Sequence, residues 1–146
     1  VFLYFADHLP FLGESNQGYE ALGFEIGQGK DLKAFLNQYE TPWFIWCNSA
    51  TEKLLADNGL SVPKGEAPLI SVNYLATELL EFIGQNGEGS FNFLSELKKT
   101  IPVISRRFYM ENGVFTEELS NGSKFLLDQY RTLQYYLIMD KEAAEP

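Results

Sequence analysis

The sequence predicts an α/β protein, a mostly parallel sheet flanked by helices that ends in a β-hairpin and a C-terminal helix. Three observations carry this reading. Two short runs, Val1 to Phe5 and Trp43 to Cys47, are apolar without polar alternation, as suits strands covered on both faces. From Ser71 to Ile83 the apolar residues recur at helical spacing. Farther on, Asn112-Gly113 separates two short segments of mixed polarity, which is a hairpin signal. The resulting order of strand, helix, strand, helix, helix, hairpin, helix is that of an α/β sheet with an antiparallel appendage.

Each element has a local reason. The first run stops at Asp7 and His8, and Pro10 keeps the strand from continuing. Residues 11–30, punctuated by Gly13, Gly18, Gly23, Gly27 and Gly29, read as a long loop. Asp31 is a ready N-cap for a helix to about Tyr39 that turns Leu32, Phe35 and Leu36 to one side. Pro42 opens the second strand, and the turn formers Asn48 and Ser49 close it. From Ala50 to Leu69 the chain reads as loop with a helical turn around Thr51 to Ala56, because Asn58-Gly59, Pro63, Gly65 and Pro68 interrupt it.

The second half is more regular. Val72, Leu75, Ala76, Leu79, Leu80 and Ile83 form one stripe, with Gly84 as C-cap. After a flexible connection over residues 85–89, Ser90 can cap a helix through Lys99 that presents Phe91, Leu94 and Leu97 inward and ends before Pro102. Arg106 to Met110 and Val114 to Glu118 are expected to pair about the Asn-Gly turn. Ser123 can cap the last helix, which runs to about Met139 with Leu126, Tyr130, Leu133 and Leu137 on one face, and Lys141 to Pro146 form a polar end.

The totals bound the function. A chain of 146 residues with 45% apolar and 15% aromatic residues argues for a packed interior and a single segment, 1–146, undivided by repeat or linker. Its formal net charge of −9 leaves no electrostatic footprint for nucleic acid or anionic lipid, so no nucleic-acid partner is expected and cations are the natural companions. No stretch approaches the ~20 apolar residues that cross a bilayer, so no membrane span is expected and the chain should be soluble. Cys47 stands alone inside an apolar run, which excludes an internal disulfide and suggests a buried, inert thiol. The chain also opens on a core-like strand without Met, which suggests a piece of something longer.

Chemistry enters through Asp7 and His8. Sheets of this type place ligands at the carboxyl ends of their strands. A carboxylate oxygen and an imidazole nitrogen are both metal ligands, and a tight turn can aim two neighbours at one cation. The alternative for the same pair is turn chemistry, with Asp7 capping the turn and His8 hydrogen-bonded beside it.

Asp7-His8-Leu9-Pro10 with Gly13, followed by Thr41-Pro-Trp-Phe-Ile-Trp-Cys-Asn48, resembles the C-terminal part of the sulfatase-like domain of lipoteichoic acid synthases and related bacterial phosphoglycerol transferases. Ile70-Ser-Val-Asn-Tyr-Leu75 and Tyr130-Arg-Thr-Leu-Gln-Tyr135 extend the resemblance over nearly the whole chain. Ala6 departs from it, standing where the family usually has Gly.

The resemblance implies an alkaline phosphatase/sulfatase-like fold holding one divalent cation, manganese first, with zinc, magnesium or calcium as alternatives. Asp7 and His8 match two of its ligands. The nucleophilic Thr and the other ligands belong to the amino-terminal part of such domains, so no catalytic residue is assigned in this chain and the substrate-binding groups are left open. The cation would activate the Thr hydroxyl and neutralise charge on the transferring phosphoryl group, allowing a covalent intermediate. The implied partners are a phosphatidylglycerol-type lipid donor and a glycolipid or polymer acceptor, at the extracytoplasmic face of the bacterial cell membrane, where the parent would be anchored. Sulfatase or phosphoethanolamine transferase chemistry occurs on similar folds. A different class, a non-catalytic acidic binding or immunity module, is the second reading. Alone, the chain should bind Mn²⁺ weakly or not at all and turn over no ester, and His8 must be neutral to coordinate, so affinity should fall with pH.

Other residues read more simply. The Trp43 to Trp46 aromatics and Tyr130, Tyr135 and Tyr136 are expected to pack. Of Arg106 and Arg107, at most one could meet an anionic substrate, since adjacent strand residues face opposite ways. Glu14, Glu20, Glu25 and Glu40 suit a solvated surface, and no family motif surrounds Thr41, Thr51 or Thr116.

Overall fold

A computed structural model describes residues 1–27, 31–85, 87 and 89–143, with side chains as far as Met139. Residues 28–30 of the expected loop, 86 and 88 of the expected connection, and 144–146 of the polar end lie outside the described residues. The chain is mixed α/β and divides into two compact units, Val1–Lys53 and Leu54–Pro146.

In the first unit β1 (Phe2–Phe5) pairs with β2 (Trp43–Trp46), Phe2 opposite Trp46 and Phe5 opposite Trp43. The pairing is antiparallel, and the described residues contain no parallel pair, whereas the sequence suggested a mostly parallel sheet. A continuous apolar run is the usual pattern of a parallel strand covered on both faces, but it does not fix the direction in which a strand pairs. Nor are these strands covered on both faces, since Phe2 is 54% and Trp46 57% exposed. A two-stranded ribbon of this kind is marginal by itself.

The stretch expected as loop contains a 3-10 turn at Glu14–Asn16 and a short helix, α1 (Gln17–Ala21). Buried Tyr19 pins it, its hydroxyl donating to the Pro10 carbonyl at 2.5 Å. α2 (Leu32–Tyr39) is capped as expected, Asp31 accepting from the N–H groups of Lys33 and Ala34, and Phe35 is its buried residue. α3 (Ser49–Asp57) is longer than the expected turn. Asn48 provides the reason, because its Oδ1 accepts the Thr51 N–H at 2.9 Å and so starts a helix as well as closing a strand.

In the second unit a 3-10 turn at Val72–Tyr74 leads into α4 (Leu75–Phe82). Gly84, at φ 69°, follows its end, with the Gln85 N–H returning to the Leu80 carbonyl at 2.9 Å. α5 (Ser90–Thr100) has Gly89 at its N-cap, and Ser90 is its first residue. β3 (Val103–Ile104), β4 (Tyr109–Glu111) and β5 (Val114–Thr116) form an antiparallel sheet in that order. The β4–β5 turn has Asn112 at φ 50° and Gly113 at φ 82°, the left-handed pair that a two-residue hairpin needs. β3 was not anticipated, and it is held by Ser71, whose Oγ accepts the Ile104 N–H at 2.7 Å and bonds the Ile104 carbonyl at 3.0 Å.

α6 (Asn121–Ala143) begins before Ser123 and runs past Met139. Ser120 takes the capping role expected of Ser123, its Oγ accepting the Ser123 N–H at 3.3 Å. The core of this unit joins Tyr74, Leu97, Ile101, Leu119, Leu127 and Tyr130, with Ile70, Leu94 and Leu126 packed against it.

Candidate metal centre

The chain leaving β1 is held before it reaches the acid and the imidazole. The Ala6 N–H donates to the Pro42 carbonyl at 3.1 Å, and Thr41 Oγ1 donates to the Ala6 carbonyl at 2.6 Å. Beyond the pair, the Tyr19 hydroxyl holds the Pro10 carbonyl. Asp7, His8 and Leu9 therefore span a short gap between two anchored points.

Within that gap Asp7 Oδ1 and His8 Nε2 lie 3.6 Å apart, and the two side chains are 81% and 76% exposed. His8 Nδ1 stands 2.8 Å from the Leu9 carbonyl. A carbonyl only accepts, so Nδ1 carries the proton, and in the neutral ring Nε2 keeps its lone pair. Two donors at this separation can share one cation at the usual ~2.0–2.2 Å bond lengths. The backbone carbonyl behind the ring is the partner that orients a metal-ligating His in known sites. The pair thus fits as two ligands. No group of three or more His, Cys, Asp or Glu that could hold a metal ion occurs among the described residues. With His8 protonated the contact would instead be an exposed ion pair, which contributes little.

The remaining candidates divide. Phe2, Tyr4, Phe44 and Trp46 share one face of the β1–β2 ribbon, and Tyr4 stacks on Phe44 with ring centroids 5.1 Å apart. All four are exposed, so Phe44 and Trp46, expected to pack, lie on an open surface, while Trp43 on the other face is half-buried. Tyr130 is buried and accepts from Gln134 Nε2 at 2.8 Å, whereas Tyr135 and Tyr136 stand out from α6. Cys47 is half-buried. Arg106 and Arg107 lie in a bend before β4, outside any strand. Arg107 reaches Glu117 at 3.0 Å and covers the Phe108 ring, which is a structural use. Glu14, Glu20, Glu25 and Glu40 are exposed, as expected.

The three Thr hydroxyls have structural acceptors: Ala6 for Thr41, Asn48 for Thr51, and the Glu118 carbonyl for Thr116.

Two polar clusters escape a reading of the sequence, because each joins separate elements. Between α4 and α5, Lys98 binds the carboxylates of Glu78 and Glu81, and Ser95 adds a bond to Glu81 at 2.7 Å. Burial opposes the charge on Lys98, but the two carboxylates outweigh it and hold the ammonium pKa above its ordinary value. At the start of α6, Glu111 accepts the N–H and hydroxyl of Ser120 and the hydroxyl of Ser123, which holds its carboxyl below the usual range. Both clusters tie helices within the second unit. Comparison of the chain with family models, with curated proteins and with solved structures finds no match.

Proposed function

We propose that this chain supplies the Asp7–His8 part of a divalent-cation site in a sulfatase-like phosphoglycerol transferase. The observation that supports the reading is the disposition of His8: Nδ1 is engaged by the Leu9 carbonyl, and Nε2 lies 3.6 Å from Asp7 Oδ1. The ordered motifs around Asp7, Thr41, Ile70 and Tyr130 support the reaction class. In the whole domain β1 and β2 would belong to a wider, mostly parallel alkaline phosphatase-like sheet. Aromatic side chains on an open ribbon face are what such a sheet would enclose.

Asp7 contributes an anionic oxygen and His8 a neutral nitrogen, while Leu9 fixes the tautomer and Thr41 holds the strand end. When bound, the cation, manganese in the first instance, lowers the pKa of a coordinated hydroxyl and neutralises phosphoryl charge. The reading assigns the nucleophilic Thr and the other ligands to a preceding part of the parent protein. It places the reaction at the extracytoplasmic face of a bacterial membrane, between a phosphatidylglycerol-type lipid and a glycolipid or polymer acceptor. Phosphoethanolamine or sulfate chemistry would use the same two ligands.

A second reading, a non-catalytic binding module, draws on the open aromatic face and the high exposure of Asp7 and His8. A Mn²⁺ titration followed by NMR line broadening separates the two. Weak binding centred on residues 7–9, lost in both Asp7→Ala and His8→Ala, is the expected result. Tight binding that survives both substitutions overturns the ligand assignment, and broadening away from β1 favours the binding module. Turnover of a phosphodiester or sulfate ester by this chain alone would overturn the assignment of the nucleophile to the parent.

A further inference from the structure

We draw no further inference here: the strongest candidate, the open aromatic face of the β1–β2 ribbon made by Phe2, Tyr4, Phe44 and Trp46, carries nothing because nothing in the structure shows what covers it.

Discussion

Thr41 Oγ1 donates to the carbonyl of Ala6 at 2.6 Å across 35 residues of sequence, one residue before the Asp7–His8 pair. With the Ala6 N–H bound to Pro42, both backbone groups of Ala6 are taken, so the strand end cannot drift. Thr41→Val keeps the shape and deletes the donor. It should cost about 0.5–1.5 kcal/mol in urea unfolding and speed hydrogen exchange at Ala6, whereas Thr41→Ser should preserve both. Unchanged exchange in Thr41→Val would show that the turn is held without this bond.

Gly18 offers a test of close packing in the same unit. Its N–H donates to the Leu12 carbonyl at 2.9 Å, and a Cβ there would lie 2.2 Å from that oxygen and 2.6 Å from Leu12 Cβ. In an open helix the change of Gly to Ala gains up to ~1 kcal/mol. At Gly18 the clash with backbone wins, and Gly18→Ala should lose about 1–3 kcal/mol, read by tryptophan fluorescence during urea unfolding. Gly122, in the first turn of α6, meets nothing within 4 Å and serves as the control. Gly122→Ala should be neutral or stabilising, and equal effects at the two sites would refute the packing argument.

Several features decided within a few residues are legible in the sequence, the Asp31 cap, the Asn112-Gly113 turn and Gly84 after α4, whereas the caps expected of Ser90 and Ser123 fall to Gly89 and Ser120. Features that depend on a distant partner are not legible there. The direction of β1 against β2 is absent from two apolar runs, and the two-residue strand β3 exists through Ser71, which lies 33 residues before Ile104. The candidate site divides the same way. Adjacency of Asp7 and His8, and a hydrogen bond from His8 to its own neighbour, are local matters, while the tie from Thr41 emerges only on folding.

Glu111 makes the start of α6 sensitive to acid. The Ser120 hydroxyl, the Ser123 hydroxyl and the Ser120 N–H all bind its carboxylate and lower its pKa in the folded chain. A carboxyl depressed in the folded state contributes stability that is present above its unfolded value and lost as pH falls through the folded one. The α6 region should therefore loosen on acidification below about pH 4, seen as faster exchange near Ser123. Glu111→Gln should show that faster exchange already at neutral pH and lose the acid dependence specific to this helix end. Retained protection in Glu111→Gln would mean that Ser120 caps the helix unaided.

Tyr74 sets the opposite limit. Its side chain is fully buried, and its hydroxyl donates to the equally buried Ile101 carbonyl at 2.8 Å, joining the turn before α4 to the residue that ends α5. Burial pushes the phenol well above its ordinary range. A group raised in the folded state gives stability that is intact below the unfolded value, about 10 for Tyr, and lost as pH climbs from there through the folded value. The unfolded chain can release the proton while the folded core must keep it. Tyr74→Phe deletes the donor and leaves the Ile101 carbonyl short of a partner, so it should cost about 1–3 kcal/mol at neutral pH. Phe has no proton to lose, so urea midpoints measured at about pH 8 and about pH 11 should fall less between the two conditions in the variant than in the wild type. Tyr130, raised in the same direction by its own burial, should leave part of the alkaline loss in place. An equal fall in both proteins would assign the whole alkaline effect to Tyr130 and the other tyrosines rather than to the hydroxyl buried against Ile101.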